Sequence, residues 1–306
     1  MVGTVAQRAR KRRGLLWREH VDAYVFLAPW IIGFLAFTAG PMIASALLAF
    51  MDYEVLLPPR WLGLGNFTTM AADPLFRKSL GNTAYYTFIS VPLQVTASMF
   101  GAILLNQKVR GVSIHRTAFY LPSLTPAVAN TLVWLWIFNP QFGLANALLR
   151  LFGLPPQKWF MDMNLAKPSM IIMSLWGIGG EMLIFLAGLQ GIPELYYEAA
   201  KVDGARNWDM VRHITVPLLS PSIFFNTVVG IIGSFQVFTT AFIATGGGPQ
   251  NATLFYVLYL YRNGFQYFKM GYASALAWVL FAITLAFTLL QFRLGRYWVY
   301  YETEGR

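Results

Sequence analysis

The chain has 306 residues, 57% of them hydrophobic and only 12% charged, about half the charged share of a soluble domain. That composition excludes an ordinary soluble globular protein and selects a membrane class. A net charge of +10 comes without cysteine, so disulfides, thiolate metal sites and cysteine nucleophiles are excluded.

The N-terminal arm, residues 1–23, holds Arg8, Arg10, Lys11, Arg12, Arg13 and Arg18. It does not read as a cleaved signal peptide, because the apolar segment after it is too long and no small-residue cleavage site follows. Beyond it lie runs without Asp, Glu, Lys or Arg at 23–51, 79–107, 117–149, 214–261 and 270–292, while 168–193 holds one charge, Glu181. A helix needs roughly 20 apolar residues to cross the hydrocarbon layer, and a backbone in lipid must bond to itself, so these runs predict helices. Six spans are predicted, at 24–50, 84–106, 117–138, 169–190, 218–243 and 271–292, the fifth ending before Gly246-Gly247-Gly248-Pro249. Pro29 and Pro41 in the first span and Pro122 and Pro126 in the third predict kinks. Residues 51–83 and 139–168 read as loops, with Trp61 and Trp159 as interface anchors.

An even number of spans puts both termini on one side. That side, with the arm, the loops at 107–116 and 191–217 and the tail at 293–306, collects 15 Lys and Arg against 8 on the other. The positive-inside rule makes it the cytoplasmic side. The basic residues flank spans instead of forming one aromatic-rich face, so the net charge reads as topology and nucleic acid is not an expected partner. The three histidines, His20, His115 and His213, lie far apart and suggest no metal site.

Between spans four and five, residues 191–217 carry local structure of their own. Pro193 and Glu194 suit the first turn of a helix. Leu195, Ala199 and Val202 share one face, and Gly204 can take the left-handed conformation that ends a helix. Asn207 suits the cap of a second short helix, and Pro217 opens the next span. The physics alone predicts two short helices joined at a glycine elbow.

The spacing says more. Glu198-Ala199-Ala200, then Gly204, then Ile214-Thr215-Val216-Pro217 resembles the EAA signature of binding-protein-dependent ABC importer permeases, with Val216 where leucine is usual. Ser234 to Phe238, Thr245 to Pro249, Tyr272 to Ala275 and the segment from Arg293 to Tyr301 look like the branch related to maltose and glycerol-phosphate importers. The likeness covers about residues 20–302 and fits the short, six-span first permease of a pair. It implies an all-α, polytopic type I importer fold, with a permease domain over 24–292 in a bacterial inner membrane. It also implies that 191–217 is the coupling loop to a cytoplasmic ATPase, through Glu198, Ala199, Ala200, Asp203, Gly204 and Pro217. The implied partners are a second permease, two ATPase subunits and an extracytoplasmic solute-binding protein. None of the seven lysines follows a glycine, so a phosphate-binding P-loop is missing. The chain is therefore not expected to be an enzyme, and it binds no cofactor of its own; ATP and Mg²⁺ belong to the partner ATPase.

For the solute path the candidates are Trp176, Gly177 and Glu181 on span four and Gln236, Thr239 and Thr240 on span five. A carboxylate in a span usually faces a polar cavity or a partner, and an aromatic face beside hydrogen-bonding groups suits a sugar. Glu181 equally fits a structural carboxylate bonded to the second permease, and the span-five cluster equally fits interhelical hydrogen bonding. Asn82 and Asn130 are weaker candidates. Two other classes remain open from the residues: an ion-coupled carrier using Glu181, and a membrane scaffold whose loop recruits a soluble partner.

Overall fold

The computed structural model describes residues 3–107 and 111–300. Lys108, Arg110 and Arg306, which entered the charge count, lie outside the described residues. The first helix, α1 (Gly3–Phe34), runs through a π-helical turn at Leu35–Ala39 into α2 (Gly40–Leu48). A small antiparallel pair, β1 (Met51–Asp52) and β2 (Arg60–Trp61), follows with Met51 opposite Trp61. Next come α3 (Gly65–Ala72), α4 (Pro74–Leu105), α5 (Val112–Tyr120), α6 (Ala127–Ile137) and α7 (Leu144–Leu151). The chain continues through α8 (Ala166–Ser174), α9 (Gly179–Gln190), α10 (Glu194–Val202), α11 (Asn207–Met210) and α12 (Val216–Leu218). It ends with α13 (Ser220–Phe235), α14 (Thr239–Ala244), α15 (Tyr256–Tyr261) and α16 (Met270–Gly295). Apart from the β1–β2 pair the fold is all-α, as the charge-free runs require.

Every predicted span contains helix, and among the described residues three single helices are long and apolar enough to cross a membrane: Glu19–Leu48, Pro74–Leu105 and Met270–Gly295. The second begins ten residues before the predicted 84, because the Asp73 side chain accepts from Leu75 N and Pro74 sits in the first turn, a strong start signal. The third is split. Pro126 has no N–H and disfavours helix at the residue before it, so Thr125 is extended (φ −73°, ψ 129°) between a 3₁₀ turn at Leu121–Leu124 and α6. The fourth bends by 48° between Ala166–Gly177 and Gly179–Gln190, and the fifth by 63° between Asn207–Leu218 and Ser220–Phe235.

The core is built around α4, which packs against α8, α9, α13 and α15. Met182, Phe185, Phe235, Leu254, Tyr256 and Leu276 are fully enclosed there. Glu19–Leu48 is the least covered of the three, with α2 packed on α16 but no residue of its apolar stretch fully buried. It is tied on at its end by Trp278 Nε1 to Ser45 Oγ (3.2 Å) and Asn66 Nδ2 to Ala49 O (2.9 Å). Trp61 is exposed, while Trp159 is taken up by its own loop. Its ring stacks on Phe138 at 4.7 Å and its Nε1 donates to Asn146 Oδ1 at 2.8 Å, so it is no free interface anchor.

Candidate functional site: an exposed elbow and a broken helix

The 191–217 segment forms the predicted elbow. Pro193 is the extended residue before α10, and the last turn of α10 closes at Gly204, whose φ is +80°. Gly204 N donates to Lys201 O (3.1 Å) and Ala205 N reaches back to Ala200 O (2.9 Å). This pair of bonds is the glycine-terminated ending that only a residue without Cβ adopts cheaply. The second helix is capped one residue earlier than predicted. Arg206 precedes it in extended conformation, Asn207 is its first helical residue, and Asp209 Oδ2 accepts from Arg206 N at 3.1 Å. Pro217 lies inside α12, before the bend rather than at the mouth of a straight span.

What the elbow shows to its surroundings mixes large apolar side chains with charged ones. Leu195 is 70% exposed, Val202 88% and Trp208 71%, with Glu198, Ala199 and Asp203 exposed among them. A short helix with uncovered leucine, valine and tryptophan is a face waiting for a partner. The elbow is nonetheless fixed to the bundle: Tyr197 Oη lies 3.0 Å from Thr215 Oγ1, and Met210 is buried. The C-terminal segment closes on the foot of α13 near by, with Tyr300 N donating to Ser220 Oγ (2.8 Å) and Trp298 edge-on to Phe224.

The structure separates the candidates on the fourth span. Trp176 is 56% exposed, and its ring meets Trp134 of α6 edge-on at 6.1 Å. Gly177 is exposed at the break, and a side chain there would meet nothing. Glu181 is partly buried in the first turn of α9 and lies 3.1 Å from Ser98 Oγ of α4. Trp176 and Glu181 thus engage different helices. The bend between them is set by packing: a Cβ on Gly179 would fall 2.5 Å from Phe119 O, so glycine lets the end of α5 press against the break.

The span-five candidates do not share a continuous helix. Gln236 ends α13, and the backbone leaves helical geometry at Phe238 (φ −135°, ψ −62°) before Thr239 and Thr240 open α14. The i, i+3, i+4 alignment predicted for them is therefore absent. The chain turns here because Phe235 stacks on Phe287 of α16 while Phe238 packs against Tyr261 of α15. Gln236 lines an open, mostly apolar cleft of about 640 Å³ with Thr284 and Thr288 of α16. Asn82 is buried and structural: its Nδ2 donates to Asn251 O and Leu254 O, and its Oδ1 accepts from Lys167 Nζ (3.1 Å).

Two polar arrangements were not anticipated from the sequence. One is a row along α4, with Asn82, Gln94 and Ser98 on a four-residue register that meets Lys167, Ser174 and Glu181 in turn. The charge-free run 79–107 carried that spacing. The other is at the opposite end from the elbow, where Asp73 accepts from Leu75 N through Oδ1 and from Tyr272 Oη (2.9 Å) and Tyr259 Oη through Oδ2. Burial works against the Asp73 carboxylate, but the hydroxyls of Tyr259 and Tyr272 and the N–H of Leu75 outweigh it and hold its pKa below the ordinary value. The Asp73-Pro74 pair was its only signal in the sequence.

An all-α bundle with long apolar helices, two of its spans bent, and a structured elbow between the bent pairs defines a polytopic membrane transport component. The sequence comparisons say which kind. The model of the binding-protein-dependent transport system inner membrane component family matches residues 70–298, and the chain belongs to that family. It is similar to the probable ABC transporter permease protein YesP of Bacillus subtilis, 42% identical over 99% of both chains. It is also similar to the arabinooligosaccharides transport system permease protein AraP of the same organism, 33% identical over 92% of this chain and 91% of that one. Among solved structures, a chain of a bacterial ABC transporter involved in the import of the acidic polysaccharide alginate superposes with a TM-score of 0.81, at 25% identity, over 92% of this chain and 98% of that one. The protein is a multi-pass permease subunit of an ABC importer, with the type I importer fold, and not an enzyme.

Proposed function

We propose that this permease moves a saccharide across the inner membrane by alternating access, driven by an ATPase that docks on the 191–217 elbow. The observation that carries the reading is the elbow itself: a helix ended at Gly204, with Leu195, Val202 and Trp208 exposed around Glu198 and Ala199. Its partner is a cytoplasmic ATPase subunit, where ATP and Mg²⁺ are held. Ala199 permits close approach, Glu198 and Asp203 supply polar contacts, Ala200 and Gly204 form the turn, and Pro217 leads the motion into α13.

Both termini then lie in the cytoplasm with the elbow, and the β1–β2 pair and the Asp73 end face outward to receive a solute-loaded binding protein. The largely uncovered Glu19–Leu48 span is available to lipid and to a second permease subunit, the other half of a heterodimer. The residues 24–292 form the permease domain, between a basic arm at 1–23 and a tail at 293–306. The solute path follows the break in the fourth span, where Trp176 and Gly177 are exposed, with Gln236, Thr239 and Thr240 as its candidates on the fifth. A saccharide is the solute class named for relatives such as the arabinooligosaccharide permease, and an exposed tryptophan suits the apolar face of a pyranose.

The test is reconstitution of the chain with its second permease, ATPase and binding protein in proteoliposomes. Uptake of labelled oligosaccharide that requires ATP and the binding protein supports the proposal. Uptake driven by a proton gradient without nucleotide would falsify it.

A further inference from the structure

We infer that Gln94 and Ser98 of α4 are positioning residues that brace the broken fourth span, with Glu181 as a bracing carboxylate and not a contact for the solute. The proposal rests on the alternating-access reading above and names what sets the angle of one moving part.

The two contacts straddle the break. Before it, Gln94 Nε2 donates to Ser174 Oγ at 2.8 Å, and the hydroxyl of Ser174, the last residue of α8, donates to Ile171 O at 2.7 Å. After it, Ser98 Oγ lies 3.1 Å from Glu181 Oε2, in the first turn of α9. Gln94 and Ser98 are one helical turn apart on α4, which runs unbroken through Pro92, so α4 acts as a splint across Leu175–Ile178. Ser98 has a second acceptor in Gln94 O at 2.5 Å. Val95 O, at 3.3 Å, is a further acceptor, so a side chain at 181 that donates to Ser98 Oγ, as the amide of glutamine would, keeps the contact.

A break exposes the last carbonyls of α8 and the first N–H groups of α9, and a carboxylate in the first turn of α9 suits its positive end. The end of α5 presses on the same place through Gly179. Between the two braces Trp176 is left exposed toward Trp134. The arrangement holds the tryptophan at a fixed angle while keeping Glu181 engaged with α4.

The experiment uses the assembled importer. This chain has no cysteine, so Gly177→Cys, where an added Cβ meets nothing within 4 Å, is labelled with nitroxide on the purified subunit before assembly and reports motion at the break. Ser98→Ala, Gln94→Ala and Glu181→Ala should each increase nitroxide mobility. Each should also lower maximal solute-stimulated ATPase in the unlabelled complex by about fivefold, with half-saturation moving by less than about twofold. Glu181→Gln should match the parent in both readouts. Ser98→Ala combined with Glu181→Ala should be no worse than the poorer single change, because both remove one contact. The inference is overturned if Glu181→Gln shifts half-saturation or solute preference while Ser98→Ala and Gln94→Ala are silent, since Glu181 would then touch solute. It is also overturned if all three alanine variants leave mobility unchanged. A parent complex without ATP-driven uptake would instead sink the importer reading, and nitroxide mobility would still decide the brace.

Discussion

The 191–217 end of the bundle turns apolar side chains outward, whereas the Asp73 end turns polar side chains inward. At the elbow, Leu195, Val202 and Trp208 are left uncovered, and two short helices are held mainly by the Gly204 turn and the Tyr197–Thr215 contact. At the other end, one carboxylate joins the start of α4 to Tyr259 of α15 and Tyr272 of α16, while Asn82 and Thr83 collect the backbone of 251–256. The first is a surface left open for another chain in the proposed assembly. The second is a polar cluster closed within this chain, although Leu56 and Trp61 near it stay exposed. Substitutions at the two ends should therefore separate transport from stability.

The largest effect is expected at the elbow. Glu198→Lys and Gly204→Val should reduce uptake by on the order of tenfold or more, within coupling energies of about 1–3 kcal/mol, while both still insert in the membrane and Glu198→Lys keeps a melting temperature near the parent's. At Gly204 the cause is the left-handed backbone, which costs an L-residue roughly 1–2 kcal/mol. A melting temperature that fell as far as the uptake would erase the contrast between the two ends.

Asp73→Ala should do the reverse. Removing a carboxylate that accepts from two tyrosine hydroxyls should cost about 2–4 kcal/mol of stability, read as an earlier thermal transition in lipid nanodiscs. The ATPase should still bind the surviving folded protein with parental affinity. The same carboxylate gives a pH signature. Its folded pKa lies below the ordinary value, so its contribution is fully present above the ordinary carboxylate range and is lost as pH falls through the lowered pKa. Thermal stability of the parent should therefore drop, as pH falls below the ordinary carboxylate range, by more than that of Asp73→Asn, which has no such group to titrate. Equal losses in both would show that the carboxylate is not the link.

Smaller changes sharpen the picture. Trp208→Ala should weaken ATPase association by about tenfold, the roughly 1.4 kcal/mol of a modest interface anchor, with no change in stability. Trp176→Ala should raise the half-saturating solute concentration by a few-fold, about 1 kcal/mol, because the exposed ring makes an aromatic contact of that size.

The sequence made the elbow legible because its signals are local. Proline, glycine and the i, i+4, i+7 face act within a turn or two, and the structure moved the second cap from Asn207 to Arg206 and set Pro217 before a bend. Span positions were legible for the same reason, through charge-free length. The breaks were only half visible. Pro126 announced the third, but the bend in the fourth depends on Phe119 pressing at Gly179, and the break after α13 in the fifth on Phe235 and Phe238 choosing partners on α16 and α15. Such contacts join residues far apart in the chain, and a window of helical periodicity passes over them. Gln236, Thr239 and Thr240 looked aligned for that reason. Asp73 stayed hidden because its partners Tyr259 and Tyr272 lie 186 and 199 residues away.

The central claim is that the elbow meets the ATPase, and a photo-crosslinking amino acid at Ala199 tests it most directly. In the assembled complex it should capture the ATPase subunit, in a yield that changes when ATP binds. The same probe at exposed Trp61, at the other end, should capture the solute-binding protein and no ATPase. Absence of an ATPase adduct from Ala199, or its appearance at Trp61, would contradict the account.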